Sequence, residues 1–326
     1  MDAPSSTEGD RVDDLWFSDG SLVVRAENKA FRVSGALLAA RSTVFQDMLS
    51  FPQPSAGASE IESLDEIPIV ELHDPASEVE PFLRAIFDSS SFMPPPSPSE
   101  LSDVLAILRL SHKYDIQYLH RRALDHLSLV YPTELPSFLA HLNSVPPGFQ
   151  KLHSSAEAHL QALRVLHEVN ALYLLPAAYS RASKNLPERF FSSPGWPVLP
   201  DTIKNRLYLS HTHQARHLMA IVHAAGHEDP GCQTPRTCSP YISTVITALM
   251  VSIGKINIEF NCFEMKDLFR PGLWEGENYP PICAACIAHN REQISTGMST
   301  VWEAFPAILE LPPWDKLQAM RTAAMG

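Results

Sequence analysis

Four of the five cysteines fall into two pairs whose spacing suits a metal site: Cys232-x5-Cys238 and Cys283-x2-Cys286. Zinc is commonly held by four thiolates in a tetrahedron, and a C-x2-C segment presents two sulfurs from one tight turn. The 44 residues between Cys238 and Cys283 are long enough to contain a helix. The sequence therefore predicts one structural zinc ion bound by all four cysteines, which would join the ends of this segment and contribute to folding.

Two other interpretations of these cysteines stay open, because the five-residue spacing of the first pair is wider than the two to four residues usual at zinc sites. The thiols could be small buried side chains, since free cysteine is among the most buried residue types. A disulfide is the third interpretation, and a reducing compartment disfavours it. Cys262 stands apart from both pairs, and we expect it in the core.

Histidines crowd the segment before the cysteines. His213/His217 and His223/His227 are pairs at i and i+4, a spacing that places two imidazoles on one helix face. No H-E-x-x-H motif accompanies them, so a metalloprotease is not supported. If one cysteine is not a ligand, His223, His227 or His289 could replace it. Otherwise we expect these histidines to be solvated or core residues.

A rival hypothesis is a metal-dependent enzyme that uses this Cys/His cluster with an open coordination position. A closed site of four cysteines would be structural, whereas three ligands beside a cleft and a general base would favour catalysis. The sequence has no candidate base in a suitable local pattern, and it lacks the phosphate-binding and nucleophile-elbow glycine motifs. We therefore predict that the protein is not an enzyme.

The segments that must position the cysteines have helical periodicity. Ser239-Pro240 is predicted to start one helix, Asp201 to cap another, and a last helix to stop before Leu311-Pro312-Pro313. The apolar positions that carry this pattern are Ile203, Leu207, Leu218, Ile221, Val222, Val245, Ile246, Leu249, Ile253, Ile294, Met298, Val301, Trp302 and Phe305. Residues 131–326 are therefore predicted to form a mostly α-helical C-terminal domain that the zinc site would stabilise.

Length and charge restrict the remaining possibilities. A chain of 326 residues suits two domains, and its formal charge of −12 argues against binding to nucleic acid or to an anionic membrane surface. The first dozen residues lack a basic and an apolar signal region, and no stretch approaches the roughly eighteen apolar residues of a membrane span. We expect an intracellular protein, in cytoplasm or nucleus, with reduced thiols.

The stretch from Asp14 to Leu49 changes its periodicity partway along. Asp19-Gly20 lies between two apolar runs and predicts a β-hairpin, with a third strand following. Ser42 is then predicted to cap a helix with one apolar face. The residues of these elements are Leu15, Trp16, Phe17, Leu22, Val23, Val24, Ala30, Phe31, Arg32, Val33, Leu37, Leu38, Val44, Phe45, Met48 and Leu49.

The flanking segments complete the predicted N-terminal half. Residues 1–11 are polar and are expected to form a disordered tail, and Phe51–Glu66 is expected to be a flexible surface loop. Ile67–Leu72 is predicted to be a strand, and Asp74 to cap the helix that begins at Pro75. A later helix is predicted to be capped by Ser99.

Taken together, these motifs resemble a BTB/POZ domain over residues 13–130. The matching positions are Asp14, Leu15, Phe17, Asp19-Gly20, Phe31-x-Val33, Leu37-Leu38, Ser42-x-x-Phe45-x-x-Met48, Val70-x-Leu72-x-Asp74 and Ser111-His112-Lys113-Tyr114 with Leu119. Ser34 departs from the family, which usually has His there. The resemblance implies an α+β protein: a small mixed sheet capped by helices in residues 12–130, then the helical domain. That helical extension is similar to those of BTB proteins expanded in mushroom-forming fungi.

The resemblance implies a protein-interaction module without catalytic residues. Relatives use the domain for homodimers, for adaptors of cullin-based ubiquitin ligases, or for binding transcriptional co-regulators, so a homodimer is expected and the other two partners are alternatives. Because the family's dimer contacts come from the first strand and first helix, the expected interface residues are Leu15, Trp16, Phe17, Leu37 and Leu38. Burial in the monomer core is the alternative for Phe17 and Leu38. The Phe51–Glu66 segment shows no convincing cullin-binding feature.

Overall fold

A computed structural model describes residues 10–50, 63–64, 67–142, 144–185, 187–253, 262–268 and 282–325. The chain divides into two compact units. The N-terminal unit comprises residues 1–127 with 147–149, and the helical unit comprises residues 128–146 with 150–326. The boundary expected from the sequence at residue 130 lies close to this division, whereas the short return at 147–149 was not predicted.

The described residues of the N-terminal unit form one mixed sheet and five helices, which confirms the predicted α+β class. The strands lie in the order β1-β3-β2-β5-β4, with β2–β3 antiparallel and both β1–β3 and β2–β5 parallel. The strands are β1 Asp10–Trp16, β2 Leu22–Ala26, β3 Lys29–Val33, β4 Ser63–Leu64 and β5 Ile67–Leu72. The helices are α1 Gly35–Arg41, α2 Thr43–Ser50, α3 Ala76–Phe87, α4 Leu101–Lys113 and α5 Gln117–Val130.

The hairpin predicted at Asp19-Gly20 is wrong, because β3 lies between β1 and β2. The tight turn is formed instead by Glu27 and the following residue, and Glu27 adopts a left-handed φ of 50°. Gly20 has another role. A Cβ at this position would lie 2.7 Å from Cγ of Arg32, whose guanidinium donates a hydrogen bond to the Gly20 carbonyl (3.0 Å). Glycine is therefore required here for close approach.

One of the four predicted helix caps is present. Asp201 is not a cap, because it is the first residue of its helix and Pro200 occupies the cap position. The Ser42 hydroxyl accepts a hydrogen bond from the Phe45 N–H at 3.0 Å, as expected for an N-cap. Asp74 does not cap α3: the first N–H of that helix, on Ala76, donates to the carboxylate of Glu27 at 2.9 Å. A long-range partner thus satisfies the donor that the local sequence pattern assigned to Asp74.

The cap predicted at Ser99 is also wrong, because α4 begins at Leu101, whose N–H donates to the carbonyl of Gly148 at 3.2 Å. The predicted tail of residues 1–11 ends earlier than expected, since β1 already starts at Asp10; residues 1–9 lie outside the described residues. The loop predicted at Phe51–Glu66 also lies outside them, except for the two residues of β4.

In its described residues the helical unit is mostly helical, which confirms its predicted class. Its α-helices are α6 Leu135–Ala140, α7 Lys151–Ser154, α8 Ala156–Glu168, α9 Leu175–Ala182, α10 Pro187–Phe191, α11 Asp201–Ala224, α12 Pro235–Ile253, α13 Ala284–Ile308 and α14 Trp314–Met325. Short 3₁₀ turns occur at Leu172–Leu174 and Cys262–Asp267. The helix predicted to start at Ser239 starts earlier, at Pro235, where proline suits the first helical position. The sequence analysis did not predict α14. Within the described residues, no helix is long and apolar enough to cross a membrane.

The two longest helices, α11 and α13, pack against each other in antiparallel orientation. His213 lies against the carbonyl of Val301, and Arg206, earlier in α11, contacts the carbonyl of Glu310 beyond the end of α13. Closer to the start of α13, Gly297 lets the two helices approach closely. A Cβ at this position would lie 2.4 Å from Cγ1 of Ile221 in α11. Both the cysteine cluster and a groove described below involve residues at or near this helix pair.

A buried carboxylate organises the N-terminal unit. Asp74 is 3% exposed and accepts hydrogen bonds from the Lys113 ammonium (2.7 Å), the Tyr114 hydroxyl (2.6 Å) and the Arg109 guanidinium (3.2 Å). Burial acts to raise the pKa of Asp74, but the hydrogen bonds from Lys113 and Tyr114 outweigh it and hold the pKa below its usual value. The cluster ties the segment after β5 to the end of α4.

We predict that Asp74→Asn lowers the free energy of unfolding of the N-terminal unit by about 2–3 kcal/mol at pH 7, because charge-assisted hydrogen bonds to a buried acceptor are lost. Since the folded-state pKa is lowered, this stabilisation is present above the unfolded-state value of roughly 3.9 and is lost as the pH falls below it. Urea titration followed by hydrogen-exchange mass spectrometry of α4 peptides measures the change.

The matched control is Asp201→Asn, which removes a carboxylate that is 89% exposed and 3.3 Å from the Lys204 ammonium. An exposed pair of this kind contributes less than about 1 kcal/mol. A loss on Asp74→Asn no larger than that of the control would contradict the organising role of Asp74.

Candidate metal centre and interaction surface

The structure brings the four predicted cysteine ligands into one cluster. The sulfurs of Cys232, Cys238, Cys283 and Cys286 all lie within 4.8 Å of one another, and the sulfurs of Cys232 and Cys283 are 3.8 Å apart. A tetrahedral ion with Zn–S bonds of about 2.3 Å separates its sulfurs by about 3.8 Å. All five cysteines of the chain are free thiols, so the cluster is not a pair of disulfides. The spacing fits four thiolates around one ion.

Two helix starts position the sulfurs. Cys238 lies in the first turn of α12, where its N–H donates to the carbonyl of Thr234. Cys283 precedes α13 as its N-cap residue, and Cys286 lies in the first turn of that helix. Cys232 lies in the connection between α11 and α12. The sequence analysis expected the four cysteines to lie together, but it did not predict that three of them would lie at helix starts.

Backbone donors point at these sulfurs. The N–H of Asp229 donates to the sulfur of Cys286, and the N–H of Cys283 donates to the sulfur of Cys238, each at 3.3 Å. The N–H of Cys286 is the main cause that lowers the pKa of Cys283 to about 7, whereas burial raises the pKa of Cys286. Donors of this kind stabilise a thiolate, which is the form that binds metal.

Asn290 supports the cluster from one turn further along α13. Its side chain is fully buried, and its amide donates to the carbonyls of Cys286 (2.8 Å) and His227 (3.0 Å). These bonds fix the first turn of α13 to the end of the α11 segment. The sequence analysis missed Asn290, although its position four residues after Cys286 places it on the same helix face.

None of the histidines proposed as substitute ligands joins the cluster among the described residues. His223 and His227 lie against each other, with ring centroids 5.2 Å apart. The Nδ1 atom of His289 lies 3.8 Å from the carboxylate of Asp229, whose N–H donates to the sulfur of Cys286. His289 is therefore near the cluster but is not one of its members. Cys262 is 1% exposed, in the core as expected.

The cluster is closed rather than open. Cys238 and Cys286 have no exposed surface, and the other two cysteines are half-buried. Four thiolates complete the coordination of zinc, which leaves no position for a substrate or a reactive water. The geometry is therefore that of a structural site, and it does not supply what a catalytic metal requires.

The predicted interface residues of the N-terminal unit divide into two groups. Leu15 and Leu38 are 1% and 0% exposed, so these two side chains belong to the core and offer no surface to a partner. Trp16, Phe17 and Leu37 are half-buried. Strand periodicity explains the difference between Leu15 and Trp16, because successive side chains point to opposite faces.

Trp16 and Phe17 lie at the end of an edge strand. β1 is an edge strand in the described sheet, with β3 as its neighbour. The Arg11 guanidinium lies 4.7 Å from the ring centroid of Trp16, and Phe17 packs on Phe87 with centroids 5.7 Å apart. An edge strand with partly exposed aromatic side chains can accept another protein segment.

Comparison with known protein families gives a match described as BTB/POZ domain over residues 13–129. No curated protein and no solved structure matches the chain. The similarity of the helical extension to fungal BTB proteins stays a prediction. The match and the predicted residues agree on the same segment, and the mixed sheet with its helices is the fold that the resemblance implied. The chain therefore carries a BTB/POZ domain in residues 13–129.

Proposed function

We propose that the protein is a non-enzymatic interaction protein that self-associates through its BTB/POZ domain and carries a helical unit stabilised by one zinc ion. BTB/POZ domains are protein-interaction modules, and the family match over residues 13–129 is the observation that carries this proposal. The closed cluster of four cysteines supports a structural rather than a catalytic metal.

The proposed self-association surface consists of Trp16, Phe17 and Leu37. Aromatic residues at interface centres contribute most of the binding free energy when they become fully buried. Each of these side chains is half-buried in the monomer and has apolar surface left to cover. Leu15 and Leu38 are core residues and are not part of this surface.

The charge distribution opposes self-association of the domain at low salt. Residues 1–127 of the N-terminal unit contain 21 Asp and Glu and 10 Lys and Arg, which gives a net charge of −11. The rest of the chain contributes only −1 to the total of −12. Two copies of the acidic unit repel each other across an interface, and salt screens that repulsion. The same charge favours partners with a basic surface when the domain recruits another protein.

We predict that the 36.2-kDa chain forms a dimer. The double variant Trp16→Asp/Leu37→Asp should raise the dissociation constant of this dimer by at least about thirtyfold, because two carboxylates replace apolar contacts. Light scattering coupled to size exclusion measures the mass across a concentration series. Met93→Asp is the control, since Met93 is 47% exposed and lies away from β1 in the sequence. A chain that stays monomeric at every concentration, or a double variant that dimerises like the wild type, would contradict self-association.

We predict that the dimer strengthens as the ionic strength rises from about 25 to 300 mM, because the Debye length falls and repulsion between the acidic units weakens. Sedimentation equilibrium at both salt concentrations gives the dissociation constants. A dimer that weakens with salt would show that attraction between opposite charges dominates the interface instead.

We predict one zinc ion per chain by elemental mass analysis of protein purified without chelator. Cys283→Ser combined with Cys286→Ser should abolish zinc binding and reduce hydrogen-exchange protection in α12 and the first turns of α13, because metal binding contributes folding free energy there. Protection of α4 in the other unit should not change.

Cys262→Ala is the control for the zinc experiment, because Cys262 is a buried thiol outside the cluster. It should keep one zinc ion per chain. The structural zinc proposal fails if the wild type contains no metal, or if the double serine variant keeps its zinc.

A further inference from the structure

A groove between α11 and α13 is separate from the cysteine cluster. Its volume is about 510 Å³, within the range of roughly 300–1,000 Å³ that is typical of small-molecule sites. Leu209 and Ala220 of α11 and Ala304 and Ile308 of α13 form its apolar walls. The exposed Leu209 (43%) extends the apolar surface at one end of the groove.

A cationic side chain, Arg216, lies along the same groove. Arg216 and His217 line it, and none of the described lining residues is Asp or Glu. Arg216 forms no ion pair with any residue in the part of the chain that the structure describes. Its guanidinium is always charged and presents several donors that match a carboxylate. The groove therefore combines apolar walls with the positive charge of Arg216.

A buried histidine, His213, also lines the groove. His213 is 7% exposed, and its Nε2–H donates to the carbonyl of Val301 at 3.3 Å. Its ring lies against His217, with centroids 4.4 Å apart, and edge-on to Phe305. Burial is the main cause that lowers the pKa of His213. The His213 ring therefore packs beside His217, and both residues line the groove.

We propose that this groove binds a medium-chain alkyl carboxylate. The carboxylate contacts Arg216 and His217, and the alkyl chain lies along Leu209, Ala304 and Ile308. An alkyl carboxylate satisfies both features at once, because its apolar chain covers the walls and its charge complements the Arg216 guanidinium. A neutral or cationic amphiphile satisfies only the apolar part.

The test uses the whole 326-residue chain with octanoate as the probe, below the concentration of micelle formation. Saturation-transfer NMR and calorimetry should show saturable binding of octanoate, with octanol at least about tenfold weaker because it lacks the charge. Arg216→Gln should weaken octanoate binding by about tenfold, and Ala304→Trp should abolish it by filling the groove.

Arg164→Gln is the matched control, since Arg164 is an exposed arginine on α8 outside the groove. It should bind octanoate like the wild type. Circular dichroism and zinc content show whether each variant is folded, and Ala220→Trp replaces Ala304→Trp if the latter does not fold. Absence of saturable octanoate binding, equal affinity for octanol, or unchanged affinity in both groove variants overturns the proposal, and none of these results bears on the BTB/POZ surface.

Discussion

Four thiols within 4.8 Å of one another are the constraint on which the helical unit depends. Their sulfurs come from two helix starts and one connection, so the cluster determines where α12 and α13 begin relative to the end of α11. Bringing four sulfurs to tetrahedral spacing without a metal gains little, because thiols are weak hydrogen-bond partners. A zinc ion would turn the same arrangement into a source of folding free energy.

In the N-terminal unit, a different interaction joins segments that are distant in sequence. Asp74 joins the segment after β5 to the end of α4 through three charge-assisted or hydroxyl donors. Such a cluster is expensive to bury and is stable only when each acceptor is satisfied. In each unit a polar cluster, a carboxylate in one and four thiols in the other, thus connects segments that are distant in sequence.

The sequence predicted the secondary-structure elements and the grouping of the four cysteines better than it predicted which strands pair and which residues cap helices. Periodicity located most strands and helices, and cysteine spacing identified all four members of the cluster. It failed at Asp19-Gly20 and Asp74, where local patterns favoured a hairpin and a helix cap. At both positions a long-range contact decided the outcome: β3 enters between β1 and β2, and Glu27 caps α3 in place of Asp74. Local propensity does not contain that information.

The antiparallel pair α11 and α13 connects the metal centre to the groove. Cys286 lies in the first turn of α13, and the groove residue Ala304 lies 18 residues later, about 27 Å along the helix. Between them, Gly297 holds the two helices in close contact. A helix pair that is fixed at one end and closely packed at its middle has little freedom to change its spacing at the other end. Zinc at the cysteines would therefore preorganise the groove without touching a ligand bound there, because both sites depend on the spacing of the same two helices.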